Sequence, residues 1–399
     1  MAAGESETLL RRPGGSQRAT FLELFLDLVY VFALTRVSQR LINDFQSDNA
    51  IRFSEAGRTL LLLLALWMLW TMTAWMTSRF DPERSRVQVI VVLTMFGSMV
   101  MAVTLPQAYG GQALLFAGAY VVLQVGRPLC LGLTLRGDSR QNISWRLVFW
   151  FSLSGLFWIA GALVPDQYRW RFWLTAVVVD YGGHALRWPT PRVGRVRGSE
   201  WGFAGEHLAE RYQQFVLIVL GESILVTGLR FSGGRFVVAT TVAFVLSFLT
   251  TVMLWRIYFH QAGFLLAEAI TGARDPGRFI RSATYTHLLM VAAILASAVG
   301  FELVIADPGA DPTPGWVAVI VGGPALFVLS RVRFEYEVFG RITWSRPVGV
   351  GFLLLVSPAM LLLPALAVGG VAAGVLTALA VYDGFRQWGR PRDPASSPL

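Results

Sequence analysis

The chain reads as a succession of apolar runs of membrane length, separated by short polar loops. At about 20 residues per crossing, the runs fall near 20–41, 58–79, 87–106, 112–135, 146–164, 170–188, 208–229, 235–259, 280–305, 314–331, 347–367 and 369–386. This predicts an all-α, polytopic membrane protein of about twelve transmembrane helices. Gly369-Gly370 is expected to form a tight turn between the last two runs.

The polar positions inside the runs carry the candidate chemistry. Glu23 and Asp27 are four apart in the first run, so they share a helical face that Tyr30 and Ser38 extend. In the seventh run His207 and Arg211 have the same spacing, and Gln214, Gly221 and Glu222 return to that side. Glu210, beside Arg211, is a candidate ion-pair partner. Glu222 stands between Gly221 and Ser223, where glycine permits close helix approach or local unwinding. Arg127 in the fourth run keeps its charge at any physiological pH, so a carboxylate from Asp27, Asp180 or Glu222 is expected within hydrogen-bond range. Trp70 is placed to pack against the first helix. A solvated helix end is the plain alternative for His207, Glu210 and Arg211, and interhelical glue is the alternative for the carboxylates.

Composition narrows the class. Hydrophobic residues make up 54% and charged residues 15%, with a mean hydropathy of +0.54; soluble domains carry about 25% charged residues. The net charge of +9 comes from 34 basic residues, all arginine. Most lie in alternate loops, which is topology control and not a nucleic-acid face, and by the positive-inside rule it places both termini in the cytoplasm. With one cysteine, Cys130, and no His-x-x-x-His pair among four histidines, neither a disulfide nor a tight metal site is expected. No Walker, Rossmann, Gly-x-Ser-x-Gly or His-Glu-x-x-His motif occurs, so nucleotide-driven transport and common hydrolase chemistry lack support, and no cofactor is expected.

An internal repeat is suggested by three landmarks recurring in order, half a chain apart. Asp81-Pro82-Glu83-Arg84 answers to Asp275-Pro276-Gly277-Arg278, Asp27 to Glu222, and Asp180-Tyr181-Gly182-Gly183 to Tyr382-Asp383-Gly384. The expected organisation is a disordered cytoplasmic tail at 1–18 and a first six-helix repeat with a cytoplasmic linker at 19–200. A second repeat follows at 201–388, then a cytoplasmic tail at 389–399. No signal peptide is expected before the first span.

Glu-Leu-Phe-Leu-Asp-Leu-Val-Tyr-Val-Phe-Ala-Leu-Thr (Glu23–Thr35) resembles the opening signature of the low temperature requirement protein A (LtrA) family. Arg79-Phe80-Asp81 is similar to that family's segment after the second helix. His207-x-x-Glu210-Arg211, leading into Leu220-Gly221-Glu222-Ser223-Ile224-Leu225, resembles its second signature. The resemblance implies a bacterial multispanning protein tied to growth in the cold. The first-helix pattern also distantly resembles two-repeat potassium channels of endolysosomes, which carry Phe-Ser-Asp on the first helix of each repeat. Here that triplet is Phe25-Leu26-Asp27, and the second half has Gly221-Glu222-Ser223.

The leading expectation is a transporter or channel for an ion or small molecule. Glu23, Asp27, Arg127, His207, Glu210, Arg211 and Glu222 would line a polar pathway between the repeats, in the lipid bilayer of the cell membrane. The alternatives are a membrane-embedded enzyme acting on a lipid or polyprenyl substrate, with Glu210, His207 and Asp27 as acid–base groups, and a structural or regulatory membrane protein. Geometry separates the three. A water-filled cavity favours transport, a pocket open sideways to lipid favours the enzyme, and a dry bundle with every carboxylate paired favours the structural role.

Overall fold

The computed structural model describes residues 9–11, 18–46, 53–196, 204–388 and 394–399, and among them every regular element is helical. The helices are α1 (Phe21–Gln46), α2 (Phe53–Arg79), α3 (Ser85–Thr104), α4 (Ala113–Thr134), α5 (Gln141–Leu163), α6 (Asp166–Ala185) and α7 (Gly205–Ser232). They continue with α8 (Val238–Tyr258), α9 (Leu266–Gly272), α10 (Pro276–Ala306), α11 (Pro314–Ile320), α12 (Gly322–Phe339), α13 (Ser345–Val356) and α14 (Ala365–Gln387). Nine helical segments among the described residues are long and apolar enough to cross a membrane. Three expected spans fall short of that measure. Glu23, Asp27, Arg36, Arg40 and Asp44 burden α1, Asp166, Arg169, Arg171 and Asp180 burden α6, and α13 has only 12 residues.

The starts and stops follow local chemistry. Before α1, Thr20 Oγ1 accepts from the Glu23 backbone N–H while Glu23 Oε2 accepts from the Thr20 N–H, a reciprocal capping box. Asp275 caps α10 by accepting from the Arg278 N–H at 2.9 Å, with Pro276 at the first helical position. Gly340 ends α12 at φ +65°, the left-handed turn that glycine adopts without penalty. Gly369-Gly370 does not form the expected turn. Both glycines lie inside α14, and the break falls earlier, where Pro358 and Pro364 interrupt the backbone ladder. Part of the expected tail is also ordered: Leu9–Arg11 runs antiparallel to Arg79–Asp81, with Arg11 N–H donating to Arg79 O and Asp81 N–H to Leu9 O. The rest of that tail (residues 1–8 and 12–17), residues 47–52, the end of the expected linker (197–200), the first residues of the expected second repeat (201–203) and residues 389–393 lie outside the described residues.

The chain divides into two compact units, residues 1–37 with 54–211, and 38–53 with 212–399. In the first, α2 is buried on nearly every side, and α3 to α6 pack in sequence, α3 on α4, α4 on α5 and α5 on α6. In the second, α10 takes the central place and packs on α8, α11 and α12. Helices apolar all round are core helices. The peripheral helices expose Phe25, Leu28, Phe96, Leu156 and Phe248, as lipid-facing surfaces do.

Glycine sets the closest approach in the second unit. A Cβ on Gly300 would lie 2.8 Å from Ile320 Cα, and one on Gly323 2.6 Å from the Ser297 backbone nitrogen. Here the backbones of α10 and the α11–α12 segment touch, as small residues allow in membranes. Gly300→Ala and Gly323→Ala are each expected to cost about 1–3 kcal/mol, because backbone must shift to admit the methyl group. Gly118→Ala, whose Cβ meets nothing within 4 Å, is the control, and equal melting temperatures for all three variants would refute the close-packing account.

Candidate functional site

In the first unit the two i,i+4 pairs read from sequence face each other as a two-rung ladder. His207 Nε2 lies 3.1 and 3.2 Å from the two Glu23 carboxylate oxygens, and Arg211 binds Asp27 with both terminal nitrogens, each at 2.7 Å. Both rungs join residues 184 apart, so the first turns of α1 and α7 run parallel. Trp70 on α2 donates from Nε1 to Asp27 Oδ1 at 2.9 Å, and its ring lies 6.0 Å from the Arg211 guanidinium. Arg11 adds a third strap. Its Nη2 is 3.1 Å from Glu23 Oε2 and 2.7 Å from His207 Nε2, and its Nε donates to Thr77 O at 2.8 Å. Two carboxylates thus meet two guanidinium groups, with histidine wedged between, and Glu23, Asp27, His207 and Arg211 are all essentially without solvent exposure.

These four residues are therefore not a solvated helix end. The arrangement is dry, paired and bidentate, the geometry in which buried charges are tolerated. The expected Glu210–Arg211 pair is not what Arg211 makes: Arg211 pairs with Asp27 and approaches Glu23 at 3.8 Å, while Glu210 is half-buried. Trp70 meets the expectation that it packs on the first helix. Arg11 was invisible to sequence reasoning, because a residue in the stretch before the first helix carries no periodicity that would point it at Glu23.

Arg127 departs from expectation. It is buried, but its Nη1 donates to Thr73 Oγ1 at 2.6 Å and Leu69 O at 3.3 Å, and its Nη2 donates to Gln124 Oε1. Among the described residues no carboxylate is within hydrogen-bond range. The link to one is indirect: Gln124 Nε2 donates to Tyr120 Oη at 3.3 Å, and Tyr120 donates to Asp180 Oδ2 at 2.7 Å. Neutral dipoles around the guanidinium and a relay of two side chains replace the expected ion pair.

Glu222, in the second unit, is the contrasting case. It is 1% exposed, yet neither carboxylate oxygen has a hydrogen-bond partner among the described residues. The buried Ser38 hydroxyl lies near it without reaching hydrogen-bond geometry, and the Glu302 carboxyl is close enough to act on it electrostatically. Beside it, Ser223 Oγ and Thr251 Oγ1 are 3.1 Å apart and join α7 to α8. Gly221 neither unwinds the helix nor lets another helix approach, since a Cβ there would meet open space. Sequence reading found Glu222 and Ser38 but not Glu302, which sits amid a long apolar run with no patterned neighbour.

Two further polar clusters lie in the second unit. Arg346 bridges Glu335 and Asp383, the latter at 2.7 Å. Beyond Tyr258, α8 breaks into a five-residue π turn, Phe259–Gly263, where Gln261 takes φ +55° and ψ −79°. The carbonyls freed by that break are met from other helices. Arg331 donates to Ile257 O at 2.9 Å and to His260 O at 2.6 Å, and Gln213 donates to Gly263 O at 2.6 Å. A cavity of about 360 Å³ opens at the break, lined by Trp255, Arg256, His260, Gln261, Gln387 and Trp388 among others. His287 stacks on Tyr212 at 4.6 Å and bonds Tyr258, a packing role. Among the described residues no three His, Cys, Asp or Glu side chains are placed to share a metal ion.

An uncharacterised protein of Rhizobium meliloti (strain 1021) is 32% identical over 386 residues, covering 96% of this chain and 93% of its own length. No solved structure matches the chain. The family model for the bacterial low temperature requirement A protein matches residues 18–381, a span that runs from just before the capping box of α1 to near the end of α14 and takes in both rungs of the ladder, Glu222 and the broken helix. On that match, the chain belongs to the bacterial LtrA family of membrane proteins.

Proposed function

We propose that this multi-pass membrane protein is a proton- or cation-coupled transporter in which Glu222 handles the ion. The observation that carries this reading is the carboxylate buried to 1% exposure without a hydrogen bond to either oxygen. Away from water, a bare carboxylate costs several kcal/mol, so it must hold a proton or face a cation. Ser38 and Glu302 bring further oxygens near it, which suits either occupant. The ladder of Glu23, Asp27, His207 and Arg211 is in this reading fixed charge that holds helices in register. Its parallel rungs support a common starting side for α1 and α7, as two sets of six crossings would require, with both termini cytoplasmic.

Purified protein reconstituted in liposomes tests the proposal by following relaxation of imposed proton, sodium and potassium gradients. Glu222→Gln keeps shape and removes the ionisable group. It is expected to fold and melt like the natural protein, or slightly higher, and to lose most of the flux. Flux at the natural rate in Glu222→Gln would sink the assignment, as would natural protein that passes none of the three ions.

A further inference from the structure

The cavity at the end of α8 is separate from Glu222 and is not used by the transport reading. Its walls combine two features that rarely meet by accident. One is strained, irregular backbone: Gln261, a non-glycine residue, sits at φ +55°, a conformation that persists only where surroundings enforce it. A Cβ on Gly263 would lie 2.6 Å from Tyr258 O, so the break also requires glycine there. Non-helical backbone at membrane depth is tolerated where it is buried in protein or lines a cavity, and Arg331 and Gln213 do the capping that keeps it open.

The second feature is a set of polar side chains left free to bind. Arg256, His260, Gln261 and Gln387 line the cavity, and none of these side chains makes a hydrogen bond or ion pair among the described residues. Around His260 at the break stand Arg256, Arg331, Arg346 and Asp383, and Arg346 also engages Glu335. Three positive charges against two negative ones leave one in excess, and Arg346 already engages both carboxylates. Arg331 is buried and donates to backbone carbonyls, so the guanidinium open to the cavity is Arg256, a fork of donors suited to phosphate. Trp255, Phe264 and Trp388 line the cavity and are 45%, 57% and 81% exposed; the two tryptophans are of the amphipathic kind found at membrane interfaces.

We propose that this cavity binds a phosphate group carried on a membrane amphiphile, with Arg256 as its counter-ion, His260, Gln261 and Gln387 as further donors, and the aromatic rim against the tail. Basic pockets at helix ends suit such headgroups, and the donors here match a phosphate oxygen set better than a carboxylate.

Native mass spectrometry of the full chain in detergent, titrated with dihexanoyl phosphatidic acid, tests this directly. Dihexanoyl phosphatidylcholine serves as the zwitterionic control and inorganic phosphate as the tail-free arm. One phosphatidic acid is expected to bind saturably, about tenfold tighter than to Arg256→Gln, the loss of one charge-assisted contact of about 1.4 kcal/mol. Arg256 is exposed and makes no internal bond, so the variant should fold. Gln387→Leu gives a second, smaller loss, and Arg235→Gln, in the loop before α8 at its far end, should change nothing. Equal binding of inorganic phosphate, equally weakened in Arg256→Gln, would assign the site to free phosphate of the same chemistry. Phosphatidylcholine binding as tightly as phosphatidic acid would overturn the proposal, as would affinity unchanged in Arg256→Gln.

Discussion

Replacing Arg211 by methionine is expected to destabilise the protein by about 3–5 kcal/mol, the usual cost of orphaning one partner of a buried ion pair. The substitution leaves Asp27 with Trp70 Nε1 as its only direct donor among the described residues and removes the charge that Glu23 also feels. Asp27→Asn should approach the same cost. One amide oxygen cannot serve both guanidinium nitrogens, and its NH₂ would point a donor at a donor. The double variant Asp27→Leu with Arg211→Met should recover much of the loss, since a buried pair replaced by apolar residues is often neutral. Melting in detergent, followed by the fraction remaining monodisperse, reads all four proteins. Were Asp27→Asn to melt with the natural protein, the pair would not be holding α1 to α7.

Arg331→Met should be nearly as damaging, for a different reason. It leaves the Ile257 and His260 carbonyls, freed by the break in α8, without their side-chain donor. Two orphaned buried acceptors at about 1–3 kcal/mol each suggest a loss of about 2–6 kcal/mol, eased somewhat because Arg331 stands near the like-charged Arg346. The damage should be local first. Limited proteolysis is expected to open new cuts within residues 259–265 before the rest of the fold yields. A digestion pattern identical to the natural protein's would show that the break is held by packing alone.

How legible this was in sequence depends on spacing. The i,i+4 pairs Glu23/Asp27 and His207/Arg211 announced buried polar faces, and the structure joins them. Arg127 misled because a sequence shows which carboxylates exist, not that Thr73, Gln124 and the Leu69 carbonyl lie closer. Gly369-Gly370 misled because a glycine pair is tolerated inside a packed helix, whereas Pro364 a few residues earlier cannot continue one. The break after Tyr258 had no clear signal. His260-Gln261-Ala262-Gly263 is unremarkable as a string, and its shape comes from donors on α7 and α12. Glu222 was legible as a buried carboxylate, but its lack of a partner is a fact of three dimensions.

The ladder also orders events at the ribosome. Glu23 and Asp27 emerge 184 residues before the His207 and Arg211 that neutralise them. At translation rates of roughly 5–20 residues per second, that is a delay of roughly 10–40 s. Throughout it, Arg11 is already at hand for Glu23, but Asp27 has no guanidinium to meet it, at a few kcal/mol in hydrocarbon. The first helix to be made therefore settles fully in the bilayer only when the seventh arrives. A nascent chain stalled before Arg211 should hold α1 loosely, open to quality-control proteases and to chemical labelling at Asp27.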